Sequence, residues 1–205
     1  MKKVLSIIFS SIFLMTSAYA GGMIGIKAGM GTLDGKRTTD AKFGTQSASK
    51  DHEYGAIFAE IELGDMISVG AEYIPIEATI DTKSTTAADS HANISDHTTA
   101  YVLVPIADMF YVKAGYSQAD VSVVANYANT TVTKAPSEIE GPMIGLGAQF
   151  ESPIPFLDVV RLEATYTDYG DMSITTTNTN GTTDTDTKKG EATQTTFTIG
   201  IAKSF

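Results

Sequence analysis

Residues 197–205 read F-T-I-G-I-A-K-S-F. Drawn out as a strand, Phe197, Ile199, Ile201 and Phe205 fall on one side, and Thr198, Gly200, Ala202 and Ser204 fall on the other. Wound as a helix, the apolar set would be spread around the axis, so a period of two is the better reading. Lys203 shares the apolar side, two positions before the terminal aromatic. The segment therefore reads as a strand with one apolar and one small or polar face.

The same alternation recurs along the chain in seven earlier segments, near 22–33, 53–63, 66–80, 97–104, 109–123, 140–150 and 159–168. In the first, Ile24, Ile26, Ala28 and Met30 oppose Gly25, Lys27, Gly29 and Gly31. In the fifth, Phe110, Val112, Ala114 and Tyr116 oppose Lys113, Gly115 and Ser117. The fourth is shorter and alternates less cleanly. Each span is near the length a tilted strand needs to cross a bilayer, about 9–11 residues. Connections alternate between short turns, at 64–65, 105–108 and 151–157, and long segments rich in Thr, Ser, Asn and Asp, near 34–51, 81–96, 124–138 and 170–192. An even number of strands with short turns at one end and long loops at the other is the pattern of an antiparallel up-and-down transmembrane β-barrel. The expected fold is all-β, with eight strands, short periplasmic turns and long extracellular loops.

The N-terminus supports export. Lys2 and Lys3 precede an apolar run from Val4 to Met15, and Ala18-Tyr-Ala20 supplies an A-x-A site. This is the plan of a secretory signal peptide over residues 1–20, leaving residues 21–205 as the barrel domain. The run is shorter than the roughly 18 residues of a spanning helix, and no longer one follows. No second domain is expected after the last strand. The chain has no cysteine and no tryptophan, so a closed barrel rather than disulfides would supply stability, and Tyr and Phe would form any aromatic girdle. Losing Lys2 and Lys3 takes the formal charge from −10 to −12. That balance argues against nucleic-acid partners, whose phosphates demand basic surface.

Several segments taken together carry a family resemblance. Residues 111–117 read Y-V-K-A-G-Y-S and residues 141–150 read G-P-M-I-G-L-G-A-Q-F. Residues 161–170 read R-L-E-A-T-Y-T-D-Y-G, and the closing strand ends on Phe205. The chain resembles the small eight-stranded outer-membrane barrels related to opacity-type surface antigens and to the barrel domain of the OmpA-like group. The resemblance covers the whole chain after the leader. It implies residence in the bacterial outer membrane and contact with its lipid. It also implies recognition of the C-terminal signal Phe197, Ile199, Ile201 and Phe205 by the barrel-assembly machinery. Lys203 departs from the pattern, but at the periplasmic boundary a lysine reaches the headgroups. Relatives serve adhesion, immune evasion and structural roles, so the fold alone assigns no activity.

Alternation places Lys27, Glu60, Glu62, Glu72, Lys113, Arg161 and Glu163 on the inward face. On the lipid face near the midplane a Lys or Arg would cost about 2–4 kcal/mol. Inside an eight-stranded barrel side chains fill the interior, so these charges are expected to pair as a polar lumen network.

Catalysis needs more. His52, His91 and His97 all fall near the extracellular rim, and Ser95-Asp96-His97 is the nearest approach to a triad. The following Thr98-Thr99 does not match the deacylase pattern. Metal binding has as little support: Asp184-Thr-Asp186 lacks the glycine and the closing Glu of a calcium loop, and no zinc spacing is present. No cofactor, metal or catalytic site is expected. The reading is a non-catalytic outer-membrane barrel that contributes to envelope structure or to cell-surface interaction, with a receptor, phage or host ligand at its loops. The alternatives are a narrow channel or carrier for small or apolar solutes and, behind that, a lipid A-modifying enzyme.

Overall fold

The computed structural model of the chain describes residues 21–38, 45–64, 66–75, 78–85, 88–127, 130–178 and 184–205. The signal-peptide reading of residues 1–20 lies outside them. Ten β-segments follow in order: β1 Gly22–Thr38, β2 Thr45–Glu62, β3 Ser68–Ile74, β4 Ala78–Thr85, β5 Ala88–Pro105, β6 Phe110–Tyr127, β7 Thr130–Lys134, β8 Glu138–Glu151, β9 Val159–Asn178 and β10 Asp184–Ser204. Both β3 and β4 lie against β5, so they form one interrupted strand. Likewise β7 and β8 both lie against β9. The ten segments are thus eight staves, all paired antiparallel.

The ring β1–β2–β3–β5–β6–β8–β9–β10 closes on itself. β1 pairs with β10 from Met23 opposite Ser204 to Thr38 opposite Lys189. At the seam, the Phe205 amide donates to the Gly22 carbonyl at 2.9 Å, and the Gly22 amide donates to the Phe205 carbonyl at 3.1 Å. Closure gives each stave of this ring a paired neighbour on both sides, which is what a β-structure in hydrocarbon requires.

Alternation along each stave divides wall from lumen. On β8, Ile139, Gly141, Met143, Gly145 and Gly147 are buried while Glu140, Pro142, Ile144 and Leu146 are exposed. The same outward parity leaves Ile24, Ile26, Met30, Phe110, Tyr116, Leu162, Tyr166, Phe197, Ile199 and Phe205 exposed. Such a continuous apolar outer belt has no stable place in water and matches a lipid-facing band.

Besides register slips on β4, between Asp81 and Lys83, and on β7, between Val132 and Lys134, two β-bulges with a left-handed residue break the parity of long staves. Asp96 takes a positive φ of 51°, and the β5–β6 register slips between Ser95 and Thr98. Gly170 takes φ 64°, and β9 slips against β10 between Glu191 and Thr193. Each bulge inserts one residue and turns the following side chains to the other face. Residues 97–104 alternate poorly because the inward Tyr101 and Leu103 are as apolar as the outward Val102 and Val104.

The staves are longer than their apolar patterns. Strand continues from Leu33 to Thr38, from His97 back to Ala88, and from Asp168 to Asn178. The long connections are therefore built mostly as hairpin extensions. Beyond the lipid band the outer face meets water, so its apolar signal fades while the ladder continues, helped by β-branched Thr.

Candidate functional site

The lumen is filled by a charged cluster near the short-turn end. Lys27 on β1, Glu60 on β2, Glu72 on β3, Lys113 on β6, and Arg161 and Glu163 on β9 all point inward and are buried. Three cations face three carboxylates. The parity of five different staves brings them to one level, which a linear reading of any one strand could not reveal.

The cluster has two parts. Arg161 grips Glu60 with both arms, Nη1 donating to Oε1 at 2.5 Å and Nη2 to Oε2 at 2.7 Å. Its Nε also donates to Gln149 Oε1 at 3.0 Å. Lys27 donates to Glu72 Oε2 at 2.7 Å and to Glu163 Oε2. Lys113 donates to the same two oxygens at 3.0 and 3.4 Å. Two ammonium groups and two carboxylates thus alternate around a four-membered arrangement. Tyr111 donates to Glu163 Oε1 at 2.6 Å and Tyr101 to Glu60 Oε1 at 2.7 Å.

Aromatic faces complete the cation environment. The Lys113 ammonium sits 3.9 Å from the Tyr101 ring centre, and Arg161 lies 5.4 Å from Phe58 and 5.3 Å from Tyr111. Attraction to the ring quadrupole supplements the ion pairs where water is excluded. The rings fit because glycines stand opposite: a Cβ on Gly147 would lie 2.2 Å from the Tyr111 ring, and one on Gly25 would lie 2.5 Å from the Phe58 ring. Period-two parity marks Phe58, Tyr101 and Tyr111 as inward. Nothing in the sequence shows which charge each ring serves.

Glu62 corrects the expected set. It shares the inward parity of Glu60 but lies at the strand end, exposed to solvent and outside the cluster. Two residues nearer the turn, water reaches the carboxylate and no pairing is needed.

Toward the long hairpins the lumen changes character. His97 Nε2 lies 2.9 Å from the Tyr169 hydroxyl, which donates to Gln194 Oε1 at 2.7 Å. Gln194 Nε2 in turn lies 2.9 Å from His52 Nε2. With Tyr169 donating to Gln194, the donors run in one sense: His97 Nε2–H to Tyr169, and Gln194 N–H to His52 Nε2. His97 Nδ1 is buried and has no partner among the described residues. Ser95-Asp96-His97 does not assemble as a triad, because His97 turns to Tyr169 while Asp96 accepts from the Tyr73 hydroxyl at 2.7 Å. The His91, Asp184 and Asp186 side chains lie outside the described residues. Among the described residues no group of His, Asp and Glu is placed to hold a metal.

Above this chain of bonds lies an apolar layer of Ala119, Ile139, Tyr169 and Ala192, packed by Leu33, Ile94, Val121 and Met172. The bulges at Asp96 and Gly170 turn Ile94 and Met172 into it. Sequence alternation misses the layer because it lies where the outer face is polar too.

At the short-turn end, Asp158 accepts from Lys203 Nζ at 2.9 Å and from the Ser204 amide at 2.8 Å. The Lys203 hydrogen bond, with the amide behind it, holds the Asp158 carboxyl below the usual carboxylate range. Lys203, the departure from the expected pattern, thus carries its own counter-charge.

No protein-family model matches this chain, and no curated protein sequence matches it. Among solved structures it is similar to the outer membrane protein OprG from Pseudomonas aeruginosa, with TM-score 0.64 and 15% identity over 91% of this chain and 96% of that one. It is also similar to the outer membrane protein AlkL, solved by solid-state NMR in DMPC bilayers, with TM-score 0.53 and 11% identity over 92% of each chain. At these identities the likeness is one of fold. The fold is that of the small eight-stranded barrels of the bacterial outer membrane.

Proposed function

We propose that this chain is a bacterial outer-membrane barrel that carries out no catalysis. Its lumen is sealed, and its work is done at the long-hairpin end, in surface interaction or support of the envelope. The sealed cluster carries this reading. Lys27, Glu60, Glu72, Lys113, Arg161 and Glu163 satisfy one another with side chains almost wholly removed from solvent. A hydrated ion entering this level must break buried pairs whose loss costs about 3–5 kcal/mol each. The outer belt then rests in lipid, and the outward Phe197, Ile199, Ile201 and Phe205 serve as the signal to the assembly machinery. The hairpins present the surface that a receptor, phage or host ligand would meet. Removing the tip of the β9–β10 hairpin tests this: attachment to a surface or host should fall while the barrel still folds. Unchanged attachment would move the role to the barrel itself.

A second reading, passage of small apolar solutes, is favoured by the apolar layer around Ile139 and Ala192 above the charged cluster. It expects faster entry of a simple aromatic hydrocarbon into vesicles that carry the protein, abolished by filling the layer with Ala192→Phe.

A further inference from the structure

The outer apolar belt is thinner than the membrane it would have to span. On β6 it runs from Phe110 to Tyr116, on β9 from Val160 to Tyr166, on β1 from Ile24 to Met30, and on β10 from Phe197 to Phe205, where Lys203 interrupts it beside its counter-charge Asp158. Six to eight residue steps at about 3.3 Å give roughly 20–26 Å along the strand. With the usual tilt of 35–45° that is about 15–20 Å in height, against an apolar band of about 25 Å.

The deficit cannot be made up at the long-hairpin end. There the next outward residues are Gln118 and Asp120 after Tyr116, Asp168 after Tyr166 and Thr32 after Met30, and Glu53 stands directly opposite Met30. Charge fixes that limit of the belt.

The short-turn end carries charge as well, at Asp108 and at the Asp158–Lys203 pair, but there apolar side chains stand out among the charges. Leu63 and Ile106 are exposed at the strand ends, and the turns themselves carry exposed Met66, Met109, Ile154 and Phe156. Phe156 is 89% exposed and adopts φ 75°, a left-handed conformation that bulky residues avoid. Its turn is held from inside: the Ile154 amide donates to Ser152 Oγ at 3.1 Å and the Leu157 amide to the Ile154 carbonyl at 3.2 Å. Two prolines, Pro153 and Pro155, stiffen it further. An aromatic held out on a braced turn, continuous with the lipid-facing belt, has an apolar destination.

We propose that the three short turns are set into the lipid of the adjacent leaflet, with Met66, Ile106, Ile154 and Phe156 against phospholipid, and so complete the apolar belt. This rests on the membrane reading above. The Asp158–Lys203 pair fits such a place, since a lysine beside lipid is tolerated best where it reaches headgroups and an opposite charge.

The chain has no tryptophan, so a single one reports its own depth. Phe156→Trp and, separately, Ile199→Trp in the middle of the belt would be folded into phosphatidylethanolamine–phosphatidylglycerol vesicles. Folding of each variant is checked by its heat-dependent gel shift, and Ile154→Trp repeats the turn measurement. The expected result is blue-shifted emission from position 156, severalfold quenching by phospholipid brominated near the headgroup end of its chains, and protection from acrylamide. Water-like emission at 156 and at 154, quenched by acrylamide while position 199 is quenched by lipid, would overturn the proposal and leave the membrane reading standing. Water-like emission at position 199 as well would overturn both.

Discussion

Arg161 and Glu60 meet across the lumen as a two-armed pair, with contacts of 2.5 and 2.7 Å between residues 101 positions apart in sequence. Neither charge has water to fall back on, so each is the other's solvation. That dependence sets the first expectation. Glu60→Ala leaves a buried guanidinium unpaired and should cost about 3–5 kcal/mol, whereas the double change Arg161→Met with Glu60→Met should cost far less than the two single changes summed. Urea titration in vesicles, scored by the folded band on unboiled gels, measures both. Additive losses would mean that the pair is not a unit.

Gly147 and Tyr111 form a matched surface. A Cβ at position 147 would lie 2.2 Å from the ring, so Gly147→Ala must push Tyr111 away from Glu163. Overpacking of this kind costs about 1–3 kcal/mol. Adding Tyr111→Ala removes the obstacle, so the double variant should be less destabilised than the sum of the singles in the same titration. Strict additivity would show that the two do not touch.

The barrel was legible in the sequence because lipid on one side and a packed lumen on the other impose the period of two. Residues such as Ile24, Lys27, Tyr116 and Glu163 announce their faces by their neighbours. The charged residues could be assigned to the lumen for the same reason, but their partners could not. Whether Lys113 meets Glu72 or Glu60 depends on the stagger between staves, which no single strand encodes. Glu62 shows the limit from the other side: parity is right, yet position along the strand decides burial. The His97–Tyr169–Gln194–His52 chain was hidden by the bulges at Asp96 and Gly170, which reset parity where the apolar signal had already faded.

That chain is testable by one oxygen. Tyr169→Phe removes the hydroxyl that joins His97 to Gln194, leaving two buried groups without their partner. A loss of about 1–3 kcal/mol is expected, with the barrel still closed on unboiled gels. No change in urea midpoint would show that water replaces the hydroxyl and that the chain does not tie β5 to β9.

Asp158 gives a pH signature. Its carboxyl is held below the reference value of 3.8 by Lys203 and the Ser204 amide. A depressed folded value means that the stabilisation is fully present above the unfolded value and is lost as pH falls through the folded one. Asp158→Asn cannot titrate. The advantage of the wild type over this variant in unfolding temperature should therefore hold constant from neutrality to about pH 5 and shrink below about pH 4. An advantage that grew on acidification would reverse the sign and remove the Lys203 contact as its cause.

The sealed lumen is tested most directly by planar-bilayer recording of the folded protein. The wild type should give a silent trace at every applied voltage, and Lys113→Ala or Arg161→Ala should introduce conductance steps by breaking the cluster. Discrete steps from the wild type, unaltered by either substitution, would contradict a lumen closed by these six charges and return the barrel to the channels.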